Sequence, residues 1–360
     1  MLRVGMLTSG GDCQGLNAAM RGVAKTLFEL NDDVEILGYQ DGFRGLIEGD
    51  YKIMKPSDFS GILTLGGTIL GTSRQPFKEI DNFVNGKDGE TRCEAMVRNY
   101  KEQNLDCLVV LGGNGSHKSA NRLSEEGLNV ITLPKTIDKD IYGSEMTFGF
   151  QSAVNIATDV IDGIHTTATS HGRVFIIELM GNKAGWLTLH AGVAGGADII
   201  LIPEINYEMD KVLGAIEERN KQGKKFSIIA MAEGAKSKED SNLSSSEYVE
   251  MLKEKGYPSG TYKLADELSK ELDQEVRVTV PGHYQRGGAP CPFDRVFASE
   301  CGAYGAELIL KGKFGRSVVQ VNNEITSLPI DEVAGKKNLV PANCELVRVA
   351  KDMGISFGDE

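Results

Sequence analysis

Residues 134–140, PKTIDKD, put two aspartates, two lysines and a threonine directly behind the apolar run LNVITL. Asp138 and Asp140 stand two apart, so in an extended turn both carboxylates can face one side. One then suits a general base and the other a metal ligand, although each also suits a turn cap. Such a cluster at the end of a buried strand fits either a solvated turn or a reaction centre. Two further stretches, LTSGGDCQGLNAAMRGV and LVVLGGNGSHKSANRL, read as strand, glycine turn, helix. That order aims backbone N–H groups and the positive end of a helix at an anion. Neither fits GxGxxG, and GxxxxGK[ST] is absent, so the usual dinucleotide and P-loop schemes lose support. Arg74, Arg173, Arg277 and Arg286 each border a strand-like or glycine-rich run, and four such arginines beside anion-ready turns favour phosphate recognition. The five histidines lack the paired spacing of a zinc site, and His283 in PGHYQRGG reads as a hydrogen-bonding pocket residue.

The elements that must position these residues are legible as short β-branched runs: RVGML, VEILGY, CLVVLGG, VITLP, RVFIIELMG, ADIILIPE, FSIIAMAEG and RVTVPGH. Amphipathic stretches of helical length separate most of them, which predicts parallel sheets flanked by helices. Phe150, Val154, Ile161 and Ile164 fall at helical spacing and predict one long connector between two lobes. Five strands end in chemistry-capable turns: SGGD, GGNGS, PKTIDKD, MGNKAGW and PGHYQRGG. Ligands of open α/β sheets sit beyond the carboxyl ends of strands, so the five turns are expected to share one cleft. The polar run GAKSKEDSNLSSSEY, residues 234–248, is expected to be a mobile surface loop.

At 360 residues the chain favours two domains or one large α/β unit. Lys plus Arg is 39 and Asp plus Glu is 51, a formal charge of −12 that opposes nucleic-acid binding. An anionic substrate must therefore be held by cations focused at one place. Six cysteines without CxxC read as reduced thiols of a cytoplasmic protein, no apolar run reaches membrane-spanning length, and the N-terminus reads as a first strand.

In their order and spacing, LTSGGDCQGLNAAMRGV, GGTILGTSR, GGNGS, PKTIDKD, MGNKAGW, AGGADIILIPE, AEG and PGHYQRGGAPCPFDR resemble the phosphofructokinases, over roughly residues 3–311. GGxGS alone is also similar to NAD kinases and lipid kinases, but these lack QRGG. The resemblance implies two doubly wound (Rossmann-like) three-layer α/β/α lobes with the active site in the cleft between them. The donor lobe is expected at 1–149 plus 286–335 and the fructose 6-phosphate lobe at 150–285 plus 336–360. It implies that Asp138 is the base on the sugar's 1-hydroxyl, that Thr136 positions the transferring group, and that Arg74 contacts the donor phosphates. Gly11, Gly113, Gly115, Ser116 and Lys135 would complete the donor site. Arg173, Arg277, His283 and Arg286 would hold the sugar phosphate, with Met180, Gly181 and Glu233 on the sugar. Arg173 and Arg277 reach in from a neighbouring subunit in the family, which implies a homodimer or homotetramer with shared sites.

Three positions depart from the family pattern. Asn114 stands where GGDGS has its metal-binding aspartate, leaving Asn114, Asp140, water and donor phosphates for Mg²⁺. Asn182 replaces the arginine of MGR, and Lys139 replaces the asparagine of TIDND. The allosteric positions are only partly kept: Arg21 and Lys224 match, whereas Lys25, His165 and Gln222 differ, so effector control is not expected. For the donor the sequence gives two opposed signals. Pyrophosphate enzymes carry aspartate where this chain has Gly115, while Lys135 is their usual companion. Exclusion by a carboxylate is harder to evade than one added attraction, so ATP is the expected donor, with pyrophosphate the alternative. A non-catalytic sugar-phosphate-binding paralogue, motivated by Asn114 and Asn182, is the reading from another class.

Overall fold

The computed structural model describes residues 1–84 and 89–360, which form two compact units, residues 1–152 with 286–338 and residues 153–285 with 339–360. From the N-terminus run β1 (Leu2–Ser9), α1 (Leu16–Leu30), β2 (Val34–Tyr39), α2 (Phe43–Glu48), β3 (Tyr51–Met54), α3 (Arg92–Glu102), β4 (Cys107–Gly112), α4 (Asn114–Glu125), β5 (Val130–Thr136) and β6 (Phe148–Gly149). The chain passes to the second unit within α5 (Phe150–His171), the expected connector. There it forms β7 (Val174–Leu179), α6 (Trp186–Ala194), β8 (Ile199–Leu201), α7 (Met209–Lys221), β9 (Ser227–Ala232), α8 (Ser245–Glu254), α9 (Gly260–Glu271) and β10 (Val276–Thr279). It returns to the first unit at Arg286 for α10 (Pro292–Leu310), β11 (Arg316–Val321), β12 (Glu324–Pro329) and α11 (Ile330–Val333), and α12 (Glu345–Asp352) lies in the second.

In the first unit the strand order is β12-β11-β5-β4-β1-β2-β3, with β6 pairing β5. The central strands are parallel, while β3 and β12 pair antiparallel at the two edges. The chain builds outward from β1 through β2, then restarts on its other side with β4, so the order reverses between β1 and β4. Such a reversal leaves a crevice beyond the carboxyl ends of the two strands. Every residue of β4 and β5 is buried, as expected of strands covered on both faces. Leu108, Val110, Val130 and Leu7 join a core with Phe43, Met96 and Leu123 from the flanking helices. Each such side chain contributes about 1.5–3 kcal/mol by leaving water.

The second unit's sheet is all parallel, in the order β10-β7-β9-β8. Its core joins Ile176, Leu201, Ile229 and Met231 to Val212, Leu264 and Leu268 from the helices.

Residues 234–244 form no helix or named strand, and the segment departs from the expected loop only at its end. Ser244 and Glu247 form a reciprocal capping box that starts α8 at Ser245, and Lys263 pairs with Asp240 inside the preceding turn. The capping box satisfies backbone donors, and the ion pair is largely buried.

Candidate active site

Register decides which turns of the first unit meet. Ser9 pairs Gly112, and Gly112 pairs Pro134, so β1, β4 and β5 end side by side and release SGG, GGNGS and KTID from one edge. A Cβ placed on Gly10, whose φ is +82°, would lie 3.7 Å from Lys135 Nζ and 4.0 Å from Ser116 Oγ. Three separate turns thus converge on one point. A Cβ on Gly11 would lie 1.5 Å from a terminal nitrogen of Arg286, so only glycine leaves room for that guanidinium. The Nε of Arg286 is buried with no hydrogen-bond partner, a donor left available to a bound anion.

Lys135 is 4% exposed and its ammonium bonds the Gly11 carbonyl. Burial lowers its pKa, helped by Arg286 and opposed by Cys13, Asp138 and Asp12. Gly113 caps α4, its carbonyl accepting the His117 N–H at 3.0 Å. Burial pushes the His117 imidazole down to about 4, so it is neutral at physiological pH. The Gly115 Cα faces open space, with nothing within 4 Å of an added Cβ. Arg74 is exposed on a segment tied to the first turn, where Gly10 N–H donates to Ser73 O at 3.2 Å and Thr72 Oγ1 donates to Gly10 O at 2.7 Å.

Around Asp138, Thr136 Oγ1 accepts the Asp138 N–H at 3.0 Å, while Thr147 Oγ1 donates to Thr136 O at 2.7 Å. Asp138 is half-buried. Lys139 holds a left-handed φ of +53°, rare for a side-chain-bearing residue, and its Nζ lies 5.3 Å from the centre of the Phe150 ring. The two aspartates therefore end in different environments: Asp140 is buried and ion-paired to Lys337 at 2.8 Å. The Asn114 side chain donates to the Lys336 carbonyl. One lysine-paired carboxylate and one amide do not by themselves make a site for a hard divalent cation, and no cluster of three metal-binding side chains occurs among the described residues.

In the second unit, Met180 and Gly181 follow β7, Glu233 follows β9 and His283 follows β10. The turns are cross-braced. Gly234 N–H donates to Gly181 O at 3.2 Å, and Met180 N–H donates to the side-chain oxygen of Gln285 at 3.2 Å. Gly181 has φ +142°, and a Cβ there would meet Ala184 O at 2.9 Å. Farther along the turn, Gly185 N–H donates at 3.0 Å to the half-buried carboxylate of Glu204, which follows β8 and also accepts Val340 N–H at 2.9 Å. Burial raises its pKa against these two bonds. Asn182 and Glu233 open on a cavity of about 320 Å³ also lined by Glu178, Lys236 and Tyr257.

Arg173 and Arg277 stand apart from this group. Arg173 precedes β7, Arg277 is the second residue of β10, and both pair with Glu275. Met180 lies beyond the far end of β7, about 20 Å away at the rise of a strand. Within one second unit, then, Met180, Gly181, Glu233 and His283 are brought to one edge, and the two arginines are not. Sequence reasoning singled out neither Gln285 nor Glu204 as a site residue. Both sat inside quoted motifs, QRGG and LIPE, but their partners are backbone groups that residue type does not reveal.

No described helix is long and apolar enough to cross a membrane. The sequence profile of the phosphofructokinase family matches residues 3–309. The chain is 50% identical over 356 residues to an ATP-dependent 6-phosphofructokinase of Spirochaeta thermophila, covering 99% of this chain and 97% of that protein. It is 44% identical to ATP-dependent 6-phosphofructokinase 3 of Bacteroides thetaiotaomicron, over 99% and 100% of the two chains. Among solved structures, the phosphofructokinase of Saccharomyces cerevisiae superposes with TM-score 0.77 at 29% identity, over 92% of this chain and 45% of that one. A pyrophosphate-dependent phosphofructokinase from Nitrosospira multiformis gives 0.81 at 17% identity, over 99% and 92%, a likeness of fold alone. With its motifs in family order and its parallel strands ending in the matching turns, this chain belongs to the phosphofructokinase family.

Proposed function

We propose that this chain is a cytoplasmic ATP-dependent 6-phosphofructokinase, transferring the terminal phosphoryl of ATP to the 1-hydroxyl of fructose 6-phosphate in glycolysis. The observation that carries this reading is the convergence of Gly10, Lys135 Nζ and Ser116 Oγ at the carboxyl ends of β1, β4 and β5, beside the Arg286 guanidinium over Gly11. Asp138 takes the proton of the 1-hydroxyl as that oxygen attacks the terminal phosphorus. The bond from phosphorus to the bridging oxygen breaks, and ADP leaves. Thr136 orients the transferring group, while Arg74, Lys135 and the α4 N-terminus with Gly113 and Ser116 neutralise charge that spreads over the donor. Positioning and charge neutralisation supply most of the acceleration in such a transfer.

Open space at Gly115 supports a nucleotide, since it leaves room for the α-phosphate, and the curated relatives are named for ATP. Magnesium enters with the nucleotide, because Asn114 and a lysine-paired Asp140 are too few ligands to hold it unaided. Met180, Gly181, Glu233, His283 and Arg286 bind the sugar phosphate. Arg173 and Arg277, which lie away from the Met180 edge, serve the site of a neighbouring subunit in a homo-oligomer. Six free cysteines accord with a reducing compartment.

One pair of variants tests both the chemistry and the sharing. Asp138→Asn should lower kcat by about 10² to 10⁴, the range for losing a general base, with smaller effects on substrate affinity. Wild-type turnover of fructose 6-phosphate no faster than that variant would leave the non-catalytic paralogue standing. Mixing Asp138→Asn with Arg173→Ala subunits should restore part of the activity. Verified mixed oligomers that stay inactive would contradict a shared site.

A further inference from the structure

Gln285 is completely buried and joins two strand ends that are far apart in sequence. Its Oε1 accepts the Met180 N–H at 3.2 Å, and its Nε2 donates to Gly282 O at 3.0 Å. One amide thereby spans the turn after β7 and the turn after β10, the two turns that carry Met180, Gly181 and His283. The turn after β9 is tied to the same assembly through Gly234 N–H and Gly181 O. Both bonds need a planar group with an acceptor at one corner and a donor at the other. A carboxylate lacks the donor, and an apolar side chain lacks both. The chain also leaves the second unit at this residue, since Arg286 belongs to the first.

We propose that Gln285 is a positioning residue for the sugar phosphate: its two amide bonds fix the spacing of the Met180–Gly181 and Gly282–His283 turns. The inference rests on the reading of these turns as the fructose 6-phosphate site. Binding constellations lose affinity when their supporting shell loosens by about 1 Å, and Gln285 supplies that support without touching the sugar itself. A buried amide serving only the core would act otherwise, since its loss would lower stability and leave the two substrates affected alike.

The test is steady-state kinetics with each substrate varied in turn, on wild type, Gln285→Met and Gln285→Glu, together with thermal melts. Gln285→Met, similar in length but without either bond, should raise the KM for fructose 6-phosphate about tenfold, with the KM for ATP changed by less than about twofold and kcat at saturating sugar by less than about threefold. Gln285→Glu keeps the acceptor for Met180 and loses the donor, so it should shift the same constant in the same direction and carries the test if the methionine variant does not fold. Unchanged constants, both KM values moving together, or neither variant folding overturns the proposal. A wild type without turnover on fructose 6-phosphate overturns the functional reading along with it. An active wild type whose Gln285 variants match it overturns the positioning role alone.

Discussion

The donor prediction turns on one missing side chain. The Gly115 Cα looks into open space at the start of α4, where the helix end and its N–H groups already favour negative charge. A carboxylate introduced there meets no steric obstacle from the protein, so Gly115→Asp should fold normally and act only on the ligand. It should lower kcat/KM for ATP at least about tenfold more than for pyrophosphate, because only the nucleotide brings an α-phosphate into that space. Equal losses with both donors would refute this role for Gly115. The structure brings the Lys135 and Ser116 side chains close to Gly10, and the strand-end turns that carry them were legible in the sequence. Gln285 was not, because its importance comes from the Met180 amide 105 residues away, and a glutamine next to an arginine carries no such signal in sequence.

Helix packing sets where those turns sit. α1 begins just after the Gly11 turn and α10 shortly after Arg286, and the two helices approach closely at Gly22 and Gly302. A Cβ on Gly302 would lie 2.2 Å from Ala19 O, and one on Gly22 would lie 2.6 Å from Ser299 O. Gly302→Ala should therefore destabilise the protein by about 1–3 kcal/mol, the usual cost of overpacking, which chemical denaturation would measure. An unchanged midpoint would mean the helices separate without strain. Asp294 of α10 adds a polar tie, its buried carboxylate accepting both the N–H and the hydroxyl of Ser152 on α5 at 2.7 and 2.6 Å. All eight apolar runs read from the sequence are strands. β3, β11 and β12 escaped because they lie at or near a sheet edge, where polar and part-exposed residues interrupt the apolar ones, and β6 because it is two residues long. The loop expected at 234–248 failed at its end for a readable reason, since SSSE at 244–247 is itself a helix-start signature.

Across the whole molecule, a net charge of −12 works against any polyanionic donor at long range. Cations gathered at one edge can offset this: in the first unit β1, β4 and β5 run parallel and in register, with Lys135 close to Gly10 and Arg286 over Gly11. The second unit repeats the arrangement with β7, β9 and β10, whose turns bring Glu233 and Asn182 to the lining of one cavity. The strand-end motifs of both units were legible in the sequence. The sequence also put Arg173 and Arg277 at the start of their apolar runs, RVFIIELMG and RVTVPGH, and the register of β7 and β10 keeps both at that end. The claim on which everything converges is ATP-dependent phosphorylation of fructose 6-phosphate. The most direct measurement is kcat/KM for ATP and for pyrophosphate with purified protein at fixed, saturating fructose 6-phosphate, following fructose 1,6-bisphosphate. A clearly higher value with ATP is predicted; a higher value with pyrophosphate, or no bisphosphate with either donor, would contradict the account.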